Sequence, residues 1–451
     1  MRRYLFGMWG TVVWALMLTG CSIPITEMED APRFPFPVKS LTAEQSGGGL
    51  LLTWQPDARN VVPQKYRIYR DFKLLDEVPA RQTNYMDHAD GGQVYFVEPV
   101  MKDGKVSMRP GVYFRCILRP QDGADVHDDF WQSVLADPSV AGLDLIMFWN
   151  EVEPEQGQLD FSLFEDALAE CDRYGKKAIL QVFPGQTGEF ADWQEKLFTI
   201  LVDQPRPGQV KLDGRPQTPR RRLYPLDEDF RREWRRFNRQ LAEQFDADSR
   251  VDSVNLHGPS TMSTHMRIPS SEAGRQEWEA LGFTIEKWKQ AWVEDSQEFL
   301  SHWTHKQVML NYGHQDLLGP AVEGCVLTEL FPMFGNQIVL RNECANGNAW
   351  YVNEKHGGTW NRVSRPFFRQ WATDTLVGYE MWKFSWDIHA GADGFDKGPN
   401  GPMGLAPDAC LADSATWVQV WPQDYRKEYI PLYRDFAVRV GYAFPPIKED
   451  D

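Results

Sequence analysis

The chain has little that would suit it to metal, phosphate or nucleic acid. Its 451 residues include six cysteines with no Cys-x-x-Cys pair, so a zinc site is not expected. The closest histidine pair, His302 and His305, ends a helical stretch with no acidic ligand beside it, so no metal and no cofactor is expected. Neither a G-x-S-x-G elbow nor a P-loop is present, and no glycine-rich loop follows the first strand of the larger domain. The net charge is −16, which argues against nucleic acid or an anionic membrane surface as the main partner. Past residue 18 there is no second long apolar run. An odd number of cysteines, Cys116, Cys171, Cys325, Cys344 and Cys410, follows Cys21, so at least one thiol lacks an internal partner.

The sequence does have a leader. Arg2 and Arg3 precede an apolar run from Leu5 to Leu18, too short to span a bilayer. Leu18-Thr19-Gly20-Cys21 follows, and resembles the lipobox of bacterial lipoproteins. The resemblance implies a signal peptide over 1–20, lipidation of Cys21 and a proline-containing tether over 21–37. The expected location is therefore the bacterial cell envelope, membrane-anchored through Cys21. Ser22 is compatible with outer-membrane sorting in a Gram-negative cell.

Two domains are expected behind the tether. Over residues 38–107, short apolar runs alternate with turn residues: Leu50–Trp54, Tyr66–Arg70, Asn84–Asp87 and Val94–Val97. This is the pattern of an antiparallel β-sandwich. The order of a Trp strand, a Tyr-x-Ile-Tyr-Arg strand and Val-Tyr-Phe-Val resembles a fibronectin type III module. Over 108–446, eight strand candidates alternate with amphipathic stretches: Val112–Leu118, Leu143–Trp149, Ala178–Phe183, Val251–Leu256, Val308–Tyr312, Gln337–Leu340, Val377–Trp382 and Trp417–Trp421. Four helices are clear, Phe161–Tyr174, Glu228–Phe245, Thr284–Trp303 and Pro366–Asp374. Together these predict a (β/α)8 TIM barrel; a doubly wound open sheet is the competitor, less favoured because no glycine-rich loop follows the first strand. The stretch Gln204–Leu226 reads as irregular; its Arg220-Arg221-Arg222, with Arg231, Arg232, Arg235 and Arg236 beyond, either flanks a cleft or forms a solvated helix face.

The second barrel strand runs into Trp149-Asn150-Glu151-Val152-Glu153-Pro154-Glu155-Gln156-Gly157, then Asp160-Phe161. This resembles the W-x-x-x-E-P-x-x-G-x-x-D/N-F segment of clan A glycoside hydrolases, notably the family-42 β-galactosidases, and is clearest from Val112 to Phe183. The resemblance implies a carboxylate nucleophile after the seventh strand and an acid/base after the fourth. Glu380, alone in the apolar run Val377–Trp382, is the nucleophile candidate; an interior ion pair with arginine is the alternative. The fourth strand lacks the family's Asn-Glu pair. The acid/base position then falls to His257 or His265, with Glu343 after the sixth strand and Glu151, Asp387 and Asp424 as other carboxyls. Sugar contacts are expected from Trp149, Glu153, Trp382, Trp386, Trp417, Gln419 and Trp421, since an indole face stacks on a pyranose and an amide hydrogen-bonds it. The expected partner is carbohydrate. A cell-envelope glycoside hydrolase is the first reading, and a glycan-binding barrel without hydrolysis is the second. The sequence does not specify an oligomeric state.

Overall fold

The computed structural model describes residues 33–445 apart from 61, 89–93, 122, 186–187, 204–218, 257, 261–265, 267, 270, 312–318, 346–365, 382–407 and 409. Six strands come first: β1 (Lys39–Ser46), β2 (Gly49–Gln55), β3 (Lys65–Arg70), β4 (Lys73–Pro79), β5 (Asn84–Asp87) and β6 (Tyr95–Val100). Then comes a closed parallel barrel in the order β7 (Gly111–Ile117), β8 (Val140–Phe148), β9 (Lys177–Phe183), β12 (Val251–Asn255), β13 (Gln307–Asn311), β14 (Ile338–Ala345), β15 (Val377–Met381) and β16 (Trp417–Val420). An antiparallel hairpin, β10 (Ile200–Asp203) and β11 (Arg220–Leu223), is inserted between the third and fourth barrel strands. All eight expected barrel strands are present. They were legible because strands covered on both faces read as apolar runs; every residue of β8 is buried. Among the described residues no helix is long and apolar enough to cross a membrane.

The first six strands form two antiparallel sheets, β1-β2-β5 and β6-β3-β4. Leu50, Leu52, Trp54, Tyr66, Ile68, Tyr95 and Val97 fill the space between them. The sandwich draws on residues outside 38–107, because β17 (Tyr442–Ala443), from beyond the barrel, pairs with β6. The edge strands β1 and β4 escaped the sequence reading because most of their side chains face solvent, leaving no apolar alternation.

The sandwich sits on the N-terminal ends of the barrel strands. Its contact is a wedge at the β3–β4 turn, where Asp71 and Phe72 take φ of 49° and 63°. Positive φ is costly for a residue with a bulky side chain. Burial of Phe72 against Phe96, Tyr442 and the Lys176 Nζ, 3.2 Å from its ring centroid, offsets that cost. The Phe72 carbonyl lies where a side chain on Gly175 would be, so that turn requires glycine, at φ 66°. Around the wedge, the buried Glu98 accepts from Tyr69 Oη at 3.0 Å and faces Lys177 at 3.6 Å, while Asp252 accepts from the Arg109 amide and from Tyr113 Oη.

The N-terminal end of the barrel is plugged by an apolar layer of Phe36, Met108, Tyr113, Ile179, Met309, Val339 and Trp417. The Trp417 indole lies across β15 so closely that any side chain on Gly378 would overlap it. Two lysines clamp neighbouring strands at this end in the same way. Lys176 Nζ donates to the carbonyls of Asp137 and Val140 (2.9 and 2.6 Å), and Lys306 Nζ to those of Asp248 and Val251 (2.6 and 2.8 Å).

Gly378→Ala is expected to destabilise the fold by about 1–3 kcal/mol in urea denaturation, since the indole has no space to move aside. Burial lowers the Lys306 ammonium from 10.5 to about 8. Below pH 8 folded and unfolded chains both hold this proton. Between about 8 and 10.5 the unfolded chain keeps it while the folded chain has released it, so raising the pH favours folding. The stability of wild type relative to Lys306→Met should therefore rise by about 1–3 kcal/mol between those pH values.

Candidate functional site

One layer above the apolar plug, the barrel interior becomes polar. Arg115, Asp144, Gln181, Asn255, Asn311, Arg341, Glu380 and Gln419 are all buried, at 6% exposure or less. Each stands at an alternate position in an apolar strand, so its side chain points inward while its neighbours pack against the helices. The register sets Arg115 beside Asp144, Asn311 beside Arg341 and Glu380 beside Gln419. Unpaired charges could not persist here, and among the described residues the layer sets two guanidiniums against two carboxylates. Arg115 reaches both acids: Nη1 pairs with Glu380 Oε1, and Nε lies 3.4 Å from Asp144 Oδ2. Arg341 donates from Nε to Asn311 (2.6 Å) and from Nη1 to Gln419 Oε1 (2.7 Å), and lies 3.6 Å from Glu380 Oε2. Gln181 Nε2 donates to both oxygens of Asp144, at 2.5 and 2.7 Å.

Above this layer lies the C-terminal end of the barrel, the face on which barrel enzymes build their sites. One side is apolar, made of Ile146, Phe148 and Phe183 with Ile117 against them. Trp421 is half-buried there, with the Arg115 guanidinium 4.6 Å from its ring centroid. Arg119, whose guanidinium lies 5.4 Å from the Phe148 ring centroid, pairs with Glu151 at 2.7 Å and Glu189 at 3.2 Å.

Several expected sugar contacts are corrected by their surroundings. Trp149 is fully buried, but behind the second strand, among Trp193, Phe198, Trp234 and Phe237. It turns outward because helix 149–152 begins where the strand ends. Glu153 is also fully buried: it accepts from Trp149 Nε1 (2.8 Å) and the Gly157 amide (2.6 Å) and pairs with Arg236. The Glu-Pro segment thus ties the loop after the second strand to helix Glu228–Phe245, away from the mouth. Trp417 belongs to the apolar plug beneath the polar layer, out of reach of a ligand at the mouth. Gln419 and Glu380 do share the polar layer. Asp424 is fully buried beyond the eighth strand.

Among the described residues, Arg221, Arg231, Arg232, Arg235 and Arg236 are engaged in ion pairs. Arg231 and Arg235 converge on the buried Asp295 of helix Ile285–His302, and Arg220–Arg222 lie on β11 within the stretch expected to be irregular, where Arg221 pairs with Glu195 at 2.7 Å. His257, His265, Trp382, Trp386, Asp387 and Cys21 lie outside the described residues, as does the side chain of Glu343 on β14. Arg115, Asp144, Gln181, Asn255 and Arg341 were missed in the sequence. The signal that singled out Glu380, a polar residue alone in an apolar run, also marks Gln181, within Ala178–Phe183, but not Asn255 or Arg341, which have polar neighbours in their strands.

Residues 129–301 match the family model Glyco_hydro_42, described as beta-galactosidase. No curated protein matches the chain. Among solved structures it is similar to the catalytic domain of the beta-amylase of Paenibacillus polymyxa, at 9% identity over 70% of this chain and 93% of that one, with a TM-score of 0.43. It is also similar to a polyextremophilic beta-galactosidase from the Antarctic haloarchaeon Halorubrum lacusprofundi, at 13% identity over 68% and 52%, with a TM-score of 0.40. A third likeness is to the beta-galactosidase of the psychrophilic Marinomonas ef1, at 13% identity over 72% and 59%, with a TM-score of 0.42. The chain therefore spans only 52% and 59% of the two galactosidases. The family match runs from the first described barrel helix to the one before the fifth strand, and over that span the barrel is glycoside hydrolase-like.

Because Arg115 neutralises both acids, Arg115→Met should cost about 3–5 kcal/mol of stability, the usual penalty for leaving buried charge uncompensated. Chemical denaturation would measure it, and Arg115→Lys should recover part of the loss.

Proposed function

We propose that this protein is a glycoside hydrolase acting on an oligo- or polysaccharide at the bacterial cell envelope, tethered through lipid on Cys21, with Glu380 as its nucleophile. The observation that carries the reading is the setting of Glu380. It stands at the C-terminal end of the seventh strand, inside the barrel, between the guanidiniums of Arg115 and Arg341. A glycosidase nucleophile must be ionised when it meets the anomeric carbon, and two cations beside it favour that state. The apolar wall at Phe148 and Phe183, opposite a polar layer, suits the two-faced character of a pyranose. Residues 33–38 run over the N-terminal end of the barrel, so a tether attached there would leave the mouth facing away from the membrane. The two antiparallel sheets at that end support a fibronectin type III-like spacer.

A second reading, glycan binding without hydrolysis, is favoured by a specific observation. Where the family has Asn-Glu, the fourth strand has Asn255-Leu256, and Leu256 is packed into the outer apolar core. A leaving oxygen still needs a proton, and Leu256 has none to give.

Incubation with a series of 2-deoxy-2-fluoro glycosides of good leaving groups separates the two readings. Under the hydrolase reading, intact mass rises by one fluoroglycosyl group, the peptide map places it on Glu380, and Glu380→Gln stays unlabelled. Sugar binding by wild type with no covalent adduct would instead favour the binding protein.

A further inference from the structure

The two guanidiniums that grip Glu380 are themselves held in different ways. Arg341 is backed by neutral amides, donating to Asn311 at 2.6 Å and to Gln419 Oε1 at 2.7 Å. Arg115 is backed by a charge. Its Nε faces Asp144 Oδ2 at 3.4 Å, its Nη1 pairs with Glu380 Oε1, and its guanidinium lies 4.6 Å from the Trp421 ring centroid. Amides are enough to orient Arg341, so orientation alone does not explain a carboxylate behind Arg115. A carboxylate is also the costlier choice, because Asp144 is fully buried and a buried charge carries a desolvation penalty. Gln181 Nε2 donates to both Asp144 oxygens, at 2.5 and 2.7 Å, and fixes the acid behind the arginine. Buried and held in this way, Asp144 acts on the site through Arg115.

The need for a second carboxylate arises when Glu380 reacts. With an activated aryl glycoside, a Glu380 oxygen bonds the anomeric carbon as the bond to the phenolate breaks, and the phenolate leaves with the electron pair. The Glu380 carboxylate becomes an uncharged ester. Among the described residues the layer then sets two guanidiniums against one carboxylate, that of Asp144. Hydrolysis reverses the change. Water bonds the anomeric carbon and gives up a proton, the ester oxygen takes back its electron pair, and Arg115 again faces two carboxylates.

We propose that Asp144 is a positioning residue that keeps Arg115 in place and supplied with a counter-ion while Glu380 is esterified. The proposal rests on the reading of Glu380 as the nucleophile, and adds a role for an acid on the second strand that acts only through the arginine. It divides the two half-reactions. Forming the ester removes one of the carboxylates that Arg115 faces and so depends on the other, whereas hydrolysis restores the lost one and does not.

The test times the two half-reactions in the full-length protein by intact mass, with dinitrophenyl 2-deoxy-2-fluoro glycosides of D-galactose, D-glucose and D-mannose. Gain of the fluoroglycosyl mass reports ester formation, and its loss after removal of the reagent reports hydrolysis. Asp144→Asn keeps the shape of the side chain and removes its charge. It should slow ester formation by about tenfold or more, since Arg115 would be left without either carboxylate, and leave hydrolysis unchanged or faster. A merely displaced site would slow both steps.

Melting gives a readout that needs no substrate. Glu380→Gln mimics the uncharged ester, and the double variant Glu380→Gln/Asp144→Asn should lose about 2 °C or more of Tm beyond the sum of the single losses. If Asp144→Asn alone does not fold, Arg115→Met/Asp144→Asn should still melt higher than Arg115→Met, because the stranded acid is gone. An equal or lower Tm there overturns the proposal. So do equal slowing of both steps, ester formation at the wild-type rate, or additive Tm losses. Failure of the hydrolase reading is separable. An adduct on wild type that Asp144→Asn forms equally fast sinks only the role of Asp144, whereas a wild type that gains no mass removes the nucleophile, and the step assigned to Asp144 with it.

Discussion

The pairing of Arg115 with Glu380 is the constraint around which the rest of the barrel is arranged. One guanidinium from the first strand meets a carboxylate from the seventh and another, Asp144, from the second, while Arg341 approaches Glu380 from the sixth. A closed barrel must fill its axis, and most of this one does so with apolar side chains. Placing four charges in the next layer is tolerable only because each faces an opposite charge and the amides of Gln181, Asn311 and Gln419 complete the geometry. Such a layer is less stabilising than an apolar one of equal volume.

Stability is gathered at the opposite end. There the Trp417 plug, the two lysine clamps and the Phe72 wedge join strands, sandwich and chain ends into one packed unit. The backbone cost of the wedge is local and its return is long-range, because Phe72 touches residues from β6 and from the last strand of the chain. The division fits the general behaviour of barrels, in which the N-terminal face carries stability and the C-terminal face carries chemistry. Glu153 marks the boundary between them. It belongs to the segment most like a glycosidase, yet its carboxylate spends both oxygens on Trp149, Gly157 and Arg236, holding a loop in place.

Legibility followed periodicity. The barrel strands were readable as apolar runs and the helices, such as Glu228–Phe245, as amphipathic stretches, since burial on one or two faces writes itself into local spacing. Glu380 was readable because a charge in such a run is costly. Trp149 and Trp417 were misread for one reason: an indole near a strand end looks the same in sequence whether it faces the mouth, the helix layer or the plug. The β1 and β4 edge strands had no apolar alternation to read.

By itself the sequence determined the number of barrel strands and marked Glu380 as a charge within an apolar run, because these depend on spacing along the chain. Only the tertiary structure decided that Glu380 meets two arginines, that Gln181 and Asn255 share its layer, and that residues 442–443 return to finish a sandwich begun before residue 50. Those facts depend on barrel register and closure, which bring together residues hundreds of positions apart. Local spacing carries no record of such partners.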